Sequence, residues 1–86
     1  MNLLFSPQAW EDYLYWLQTD KKIVRKINEL IKDTVRSRHE GIGKPEPLKH
    51  AFAGFWSRRI NSEHRMVYRA DETTLEIAQL RYHYGE

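Results

Sequence analysis

Eighty-six residues, 41% hydrophobic and 30% charged, make one globular domain spanning 1–86 with a single modest core, and exclude a disordered chain. The absence of cysteine excludes a disulfide framework and a zinc–thiolate site and fits a reducing cytosol. The net charge is only +2 but unevenly placed: residues 1–20 hold Glu11, Asp12 and Asp20 and no Lys or Arg, while the rest carries all 14 bases and the other nine of the 12 acids, a mildly basic body suited to an anionic partner. Leu3-Leu4-Phe5, ended by Ser6-Pro7, lacks the basic and apolar regions of a signal peptide. No stretch has membrane-spanning length, so a cytoplasmic protein is expected.

Residues 1–5 read as a short strand. Ser6-Pro7 opens a helix, with Ser as N-cap and Pro in the first turn. Ala9, Trp10, Tyr13, Leu14 and Leu17 recur at helical spacing and form its apolar face, with Glu11 and Asp12 near the end where the dipole favours acids. The aromatic stripe of Trp10, Tyr13 and Trp16 has the spacing of a core face rather than of a base-stacking platform. Thr19-Asp20 punctuates. A second helix follows, with Ile23, Ile27, Leu30, Ile31 and Thr34 inward and Lys21, Lys22, Arg25, Lys26 and Lys32 on its outer side. So short a link predicts an antiparallel helix pair.

Residues 36–49, RSRHEGIGKPEPLK, read as a loop. Gly41 and Gly43 loosen it; Pro45 and Pro47 stiffen it and bias their predecessors to extended backbone. Glu46 between them is either an exposed turn carboxylate or one held in place for use at little entropic cost.

Residues 54–68, GFWSRRINSEHRMVY, then carry a hairpin signal: two runs rich in aromatic and β-branched residues flank Asn61-Ser62-Glu63. That loop pairs Ile60 with His64 and sets Arg59 opposite Arg65, a repulsive pair that adds nothing to the sheet unless an anion lies between. The alternative is that both arginines reach into water along apolar stems. Asp71-Glu72-Thr73 leads to a third strand over 74–83, with Arg65 opposite Gln79. Alternation then places Trp56, Ile60, Met66, Tyr68, Ala78, Leu80 and Tyr82 towards the helices, with Arg58 and Glu76 as edge exceptions. Ser57, Arg59, Arg65, Arg69, Gln79, Arg81 and His83 fall on the other face. Four arginines and a histidine on one face suit an anion site, provided that both loops are three residues long.

HExxH, P-loop, GxGxxG and GxSxG motifs are absent. His39, His50, His64 and His83 show no metal-ligand spacing, and no cofactor is expected. His64, beside the hairpin turn, reads as structural.

KPEPLKH at 44–50, GFWSRRI at 54–60, EHRMVY at 63–68 and RYHY at 81–84 resemble the YoeB toxins of bacterial toxin–antitoxin pairs, within the RelE/ParE superfamily. YLYW at 13–16 and KINELIKDT at 26–34 extend the likeness over essentially the whole chain. The resemblance implies an α+β fold, two N-terminal helices packed on a twisted antiparallel sheet, in agreement with the pattern above. It also implies a ribosome-dependent mRNA endonuclease that cuts the message in the ribosomal A site. A cognate YefM-type antitoxin would neutralise it, and the free toxin would be a homodimer. The family's catalytic glutamate, arginine and histidine fall on Glu46, Arg65 and His83, and its supporting RNA-binding positions on Lys49, Arg59 and Tyr84. Members resemble one another in ending near the Tyr-His-Tyr segment; here Gly85-Glu86 follows and adds two negative charges near His83.

Physical roles for these residues follow without the family. RNA can be cleaved without a metal by its own 2′-hydroxyl. Glu46 suits the base, His83 the acid, since its unperturbed pKa is about 6.5, and Arg65 the charge on the phosphoryl oxygens. A toxin-like scaffold that poisons by binding, as ParE-type relatives do, is the competing expectation, and the Glu/Arg/His set argues against it. A ribonuclease that needs no ribosome is the other, and residue types alone do not separate it from the first.

Overall fold

Ser6 starts the first helix and ties it to the sheet with one hydroxyl. In the computed structural model, which describes residues 1–83, its Oγ accepts from the Ala9 amide at 3.0 Å and donates to the Ala78 carbonyl at 2.7 Å. Helix α1 (Pro7–Thr19) follows, with Pro7 at its start. Asp20 closes α1 by donating its N–H to the Trp16 carbonyl. It also opens α2 (Lys21–Arg36), its carboxylate accepting from the Lys22 and Ile23 amides. Losing such a cap costs about 1 kcal/mol.

The buried side of α1 is Ala9, Asp12 and Trp16, not the face expected from apolar spacing: Trp10 and Leu17 are 48% and 44% exposed. Polar bonds choose the side. Asp12 Oδ2 accepts the Leu80 N–H at 3.0 Å, Oδ1 accepts the Gln8 amide at 2.8 Å, and the Trp16 indole N–H donates to the Leu80 carbonyl at 2.9 Å. Asp12 therefore anchors the chain around residue 80. It is not a dipole-complementing acid, and the first turn of α1 holds none. The α2 stripe is as expected, with Val24 added: Val24, Ile27, Leu30 and Thr34 are buried, and Ile23 and Ile31 pack against the same core.

Five strands, β1 (Asn2–Phe5), β2 (Glu46–Pro47), β3 (Trp56–Arg59), β4 (Arg65–Ala70) and β5 (Thr74–Gln79), form one sheet in the order β1-β5-β4-β3-β2. Strands β2 to β5 are antiparallel to their neighbours; β1 joins β5 in parallel. The α+β expectation holds, with β1 as a parallel edge. The β3–β4 hairpin keeps its expected register, Arg59 opposite Arg65, because the Asn61 side-chain oxygen accepts the Glu63 and His64 amides at 2.8 Å each, an Asx turn.

The β4–β5 register differs from expectation. Val67, not Arg65, lies opposite Gln79; Tyr68 faces Ile77, and a bulge separates the two pairs. The turn is one residue longer than expected, since Ala70 pairs with Leu75 and the Asp71 carboxylate gathers the Thr73 and Thr74 amides. A one-residue change moves a strand's side chains to the other face. Leu75 and Ile77, rather than Ala78, therefore join the core, and Glu76 stands opposite Arg69 as its ion-pair partner at 2.7 Å. Beyond Gln79 the strand stops. Leu80 is fully buried as expected, but Tyr82 is 58% exposed and left-handed, with φ 71°.

Arg58, expected at an edge, is instead the centre of the loop before β2. It is fully buried. Its guanidinium donates to the Asp33 carboxylate (2.7 Å), to the Ser37, Glu40 and Ile42 carbonyls (2.6, 2.8 and 3.1 Å) and to the Tyr68 hydroxyl (3.2 Å). That hydroxyl donates onward to the Arg38 carbonyl. Arg36 first, then Arg58 and the Ile42 amide, hold the Asp33 carboxyl down to about 2, while burial pushes the Tyr68 phenol up. Two glycines let the loop wrap this closely. A Cβ on Gly41 (φ 116°) would fall 2.0 Å from the Asp33 carboxylate. One on Gly43 (φ 81°) would fall 2.8 Å from Leu30 and 3.1 Å from the Arg58 Cβ.

Candidate active site

The loop that Arg58 gathers delivers Glu46 to the sheet. The Gly43 carbonyl accepts the Arg59 amide at 2.7 Å, after which Glu46 pairs with Ser57 and Pro47 with Trp56. Glu46 thus belongs to a two-residue edge strand rather than to a loop, and it is exposed. Residues directly opposite in an antiparallel ladder share a face. Glu46, Ser57 and Val67 therefore form one row on the side away from the helices, and Arg59 and Arg65 form the next. Val67 is 1% exposed yet outside the main core, so this face has a small apolar floor. Standard strand spacings put the Glu46 and Arg65 backbones roughly 12 Å apart, a gap that two long side chains can close around a phosphate.

Arg65 and His83 do meet. One guanidinium nitrogen of Arg65 is held by the Asn61 and His64 carbonyls at 2.9 and 3.2 Å. The other lies 3.1 Å from His83 Nε2. Arginine only donates, so in this geometry His83 Nε2 accepts. His83 reaches Arg65 through the irregular segment after β5, not through strand alternation: the Arg65 amide donates to the Tyr82 carbonyl at 3.0 Å and the Tyr82 amide to His64 Nδ1 at 2.7 Å. A cavity lined by Gln8, Asp12, Gln79, Arg81, Tyr82 and His83 opens beside the imidazole.

The expected face of four arginines narrows to two. Arg69 is spent on Glu76 and lies over the Phe55 ring; Arg81 stacks 3.6 Å from the centroid of Tyr15, on α1. Arg59 is exposed, and no hydrogen bond engages its side chain among the described residues, so the Arg59–Arg65 pair is where an anion would be held. Lys49 is exposed just before the 3₁₀ turn His50–Phe52, and no bond among the described residues ties it to the cluster. Tyr84 and the Gly85-Glu86 tail lie outside the described residues. Among the described residues no three His, Asp or Glu side chains gather as a metal site requires.

Sequence reasoning missed Asp12, Trp16 and Arg58 as the groups that set this geometry. Asp12 left a trace, since it stands at helical spacing between the buried Ala9 and Trp16. Arg58 left one too, because alternation put it on the inner face.

The outer sheet face carries an arginine pair, with His83 against one of them and an edge-strand glutamate in the neighbouring row, a set of side chains chemically suited to an anionic ligand. The comparisons with known proteins agree on the family. The family model described as "YoeB-like toxin of bacterial type II toxin-antitoxin system" matches residues 5–84. The toxin YoeB of Escherichia coli K12 is 63% identical over 84 residues, covering 98% of this chain and all of that protein. Two Staphylococcus aureus structures are each 56% identical and cover 98% of both chains: a YoeB dimer, with a TM-score of 0.92, and a heterotetrameric YoeB–YefM toxin–antitoxin complex, with a TM-score of 0.90. The chain belongs to the YoeB-like toxin family of bacterial type II toxin–antitoxin systems.

Proposed function

We propose that this chain, acting as one unit over 1–86, is an mRNA endonuclease that works in the ribosomal A site and stops translation. The observation that carries the reading is Arg65 set 3.1 Å from His83 on the sheet face that Glu46 and Arg59 share. The 2′-hydroxyl attacks the adjacent phosphorus. Glu46 takes its proton as the 2′-O–P bond forms. His83 gives a proton to the 5′-oxygen as the P–O5′ bond breaks. Arg65 donates to the phosphoryl oxygens, where charge builds. Arg59 and Lys49 hold flanking phosphates, and Tyr84 supplies an aromatic contact. The products are a 2′,3′-cyclic phosphate and a 5′-hydroxyl. Protons move only between RNA and side chains, so the reaction as written takes no metal.

The S. aureus relatives support a homodimer and a YefM-type antitoxin as partners. No helix among the described residues is long and apolar enough to cross a membrane, and a toxin that acts on ribosomes works in the cytoplasm.

Primer extension on an mRNA under translation, wild type beside His83→Gln, tests the reading. Cuts within the A-site codon, strongly reduced in the variant, are expected. Blocked translation without cleavage would point instead to a toxin that acts by binding, with Arg59 and Arg65 as anion contacts only. Equal cutting of bare and translated RNA would remove the ribosome from the account.

A further inference from the structure

One imidazole close to the reacting groups has no part in the chemistry above. His64 stands between the β3–β4 turn and Arg65, with its ring edge-on to Trp16 at 4.9 Å. Its Nδ1 lies 2.7 Å from the Tyr82 amide nitrogen. An amide can only donate, so Nδ1 carries the lone pair and the ring proton sits on Nε2. The Glu63 carboxylate, 3.9 Å from Nε2, stands on the side where that proton lies.

What His64 holds is strained. Tyr82 has φ 71°, a left-handed conformation that a bulky residue keeps only when its surroundings over-determine it. The surroundings do so atom by atom. The Leu80 amide and carbonyl are fixed by Asp12 and Trp16. The Tyr82 carbonyl takes the Arg65 amide, and the Tyr82 amide goes to His64. The kink at Tyr82 is what turns residue 83 back over Arg65.

We propose that His64 is a positioning residue for the general acid: its unprotonated Nδ1 clasps the Tyr82 amide and so sets His83 Nε2 against Arg65. It touches no reacting atom. The functional half of this claim rests on the assignment of His83 above; the clasp itself does not.

Two variants separate the acceptor from the ring. His64→Asn keeps an acceptor oxygen near the place of Nδ1 and loses the ring. His64→Phe keeps the ring against Trp16 and loses the acceptor. A displaced catalytic group can cost up to about 10²-fold, so His64→Phe should lose roughly 10- to 100-fold in kcat with KM for the translating ribosome unchanged, while His64→Asn stays within about threefold of wild type. The opposite order, Phe active and Asn defective, would show a packing role and overturn the proposal.

Nuclear magnetic resonance supplies a readout independent of cleavage. Wild type should show His64 as the neutral Nε2–H tautomer and a Tyr82 amide protected from exchange, protected also in His64→Asn and exposed in His64→Phe. A Tyr82 amide that exchanges freely in wild type would sink the clasp even if RNA is cut. A protected amide in a protein that cuts nothing would sustain the clasp and sink the assignment of His83.

Discussion

Arg58 and Arg59 are neighbours in β3 with opposite uses. The pleat turns Arg58 inward, where its guanidinium is fully buried and spent on Asp33, loop carbonyls and Tyr68. It turns Arg59 outward, exposed and opposite a second arginine. Burial with all its donors engaged makes an arginine a structural tie; exposure beside a like charge leaves its donors available to an anion. The inner one shapes the loop that delivers Glu46, and the outer one faces what Glu46 would act upon.

The largest effect expected from breaking this division is on stability. Arg58→Ala takes the buried donor from the Asp33 carboxylate, leaving it Arg36 and the Ile42 amide, and strips several loop carbonyls of theirs; removing one partner of a buried pair costs about 3–5 kcal/mol. Urea unfolding measures it; a loss below about 1 kcal/mol would mean that the tie is dispensable. Gly43→Ala comes next. It meets a left-handed φ and close contacts with Leu30 and Arg58, and a cost of roughly 1–3 kcal/mol is expected by the same measurement.

Acid sharpens the comparison through Asp33, whose carboxyl is held below its ordinary 3.8 at about 2. A depressed carboxyl stabilises the fold fully above its unfolded value and stops doing so as pH falls through its folded value. Wild type should therefore lose stability between about pH 4 and pH 2, and Asp33→Asn, already weakened, should show a flatter profile in that window. Parallel profiles would detach Asp33 from the tie.

The smallest stability effect belongs to Arg59→Ala, within about 0.5 kcal/mol of wild type. Its loss should appear in RNA cleavage instead, as a raised KM. A stability loss comparable with that of Arg58→Ala would erase the distinction.

The hairpin of β3 and β4, the α2 stripe and the helix starts were legible in the sequence because each is set locally: Asn61 makes its own turn, and Ser6 and Asp20 make their own caps. The site residues were named through family resemblance, and alternation in β3 and β4 put Arg59 and Arg65 on one face. The β4–β5 pairing was not legible. Its turn is held by the Asp71 carboxylate one residue longer than the spacing suggested and a bulge follows between Val67 and Tyr68; one extra residue reverses a face. The approach of His83 was likewise hidden, since it depends on Asp12, Trp16 and His64 pinning a segment that is not a strand. The strand at residues 1–5 was legible, but its parallel pairing with β5 was not.

The central claim is that Glu46 takes a proton and His83 gives one, across a sheet face that Arg65 charges. The most direct measurement is the single-turnover rate of A-site cleavage against pH for wild type, Glu46→Gln and His83→Gln. The account predicts a bell for wild type, loss of the acid limb in Glu46→Gln, loss of the basic limb in His83→Gln, and rates lower by roughly 10²- to 10⁴-fold in each. A bell that keeps both limbs in either variant would contradict it.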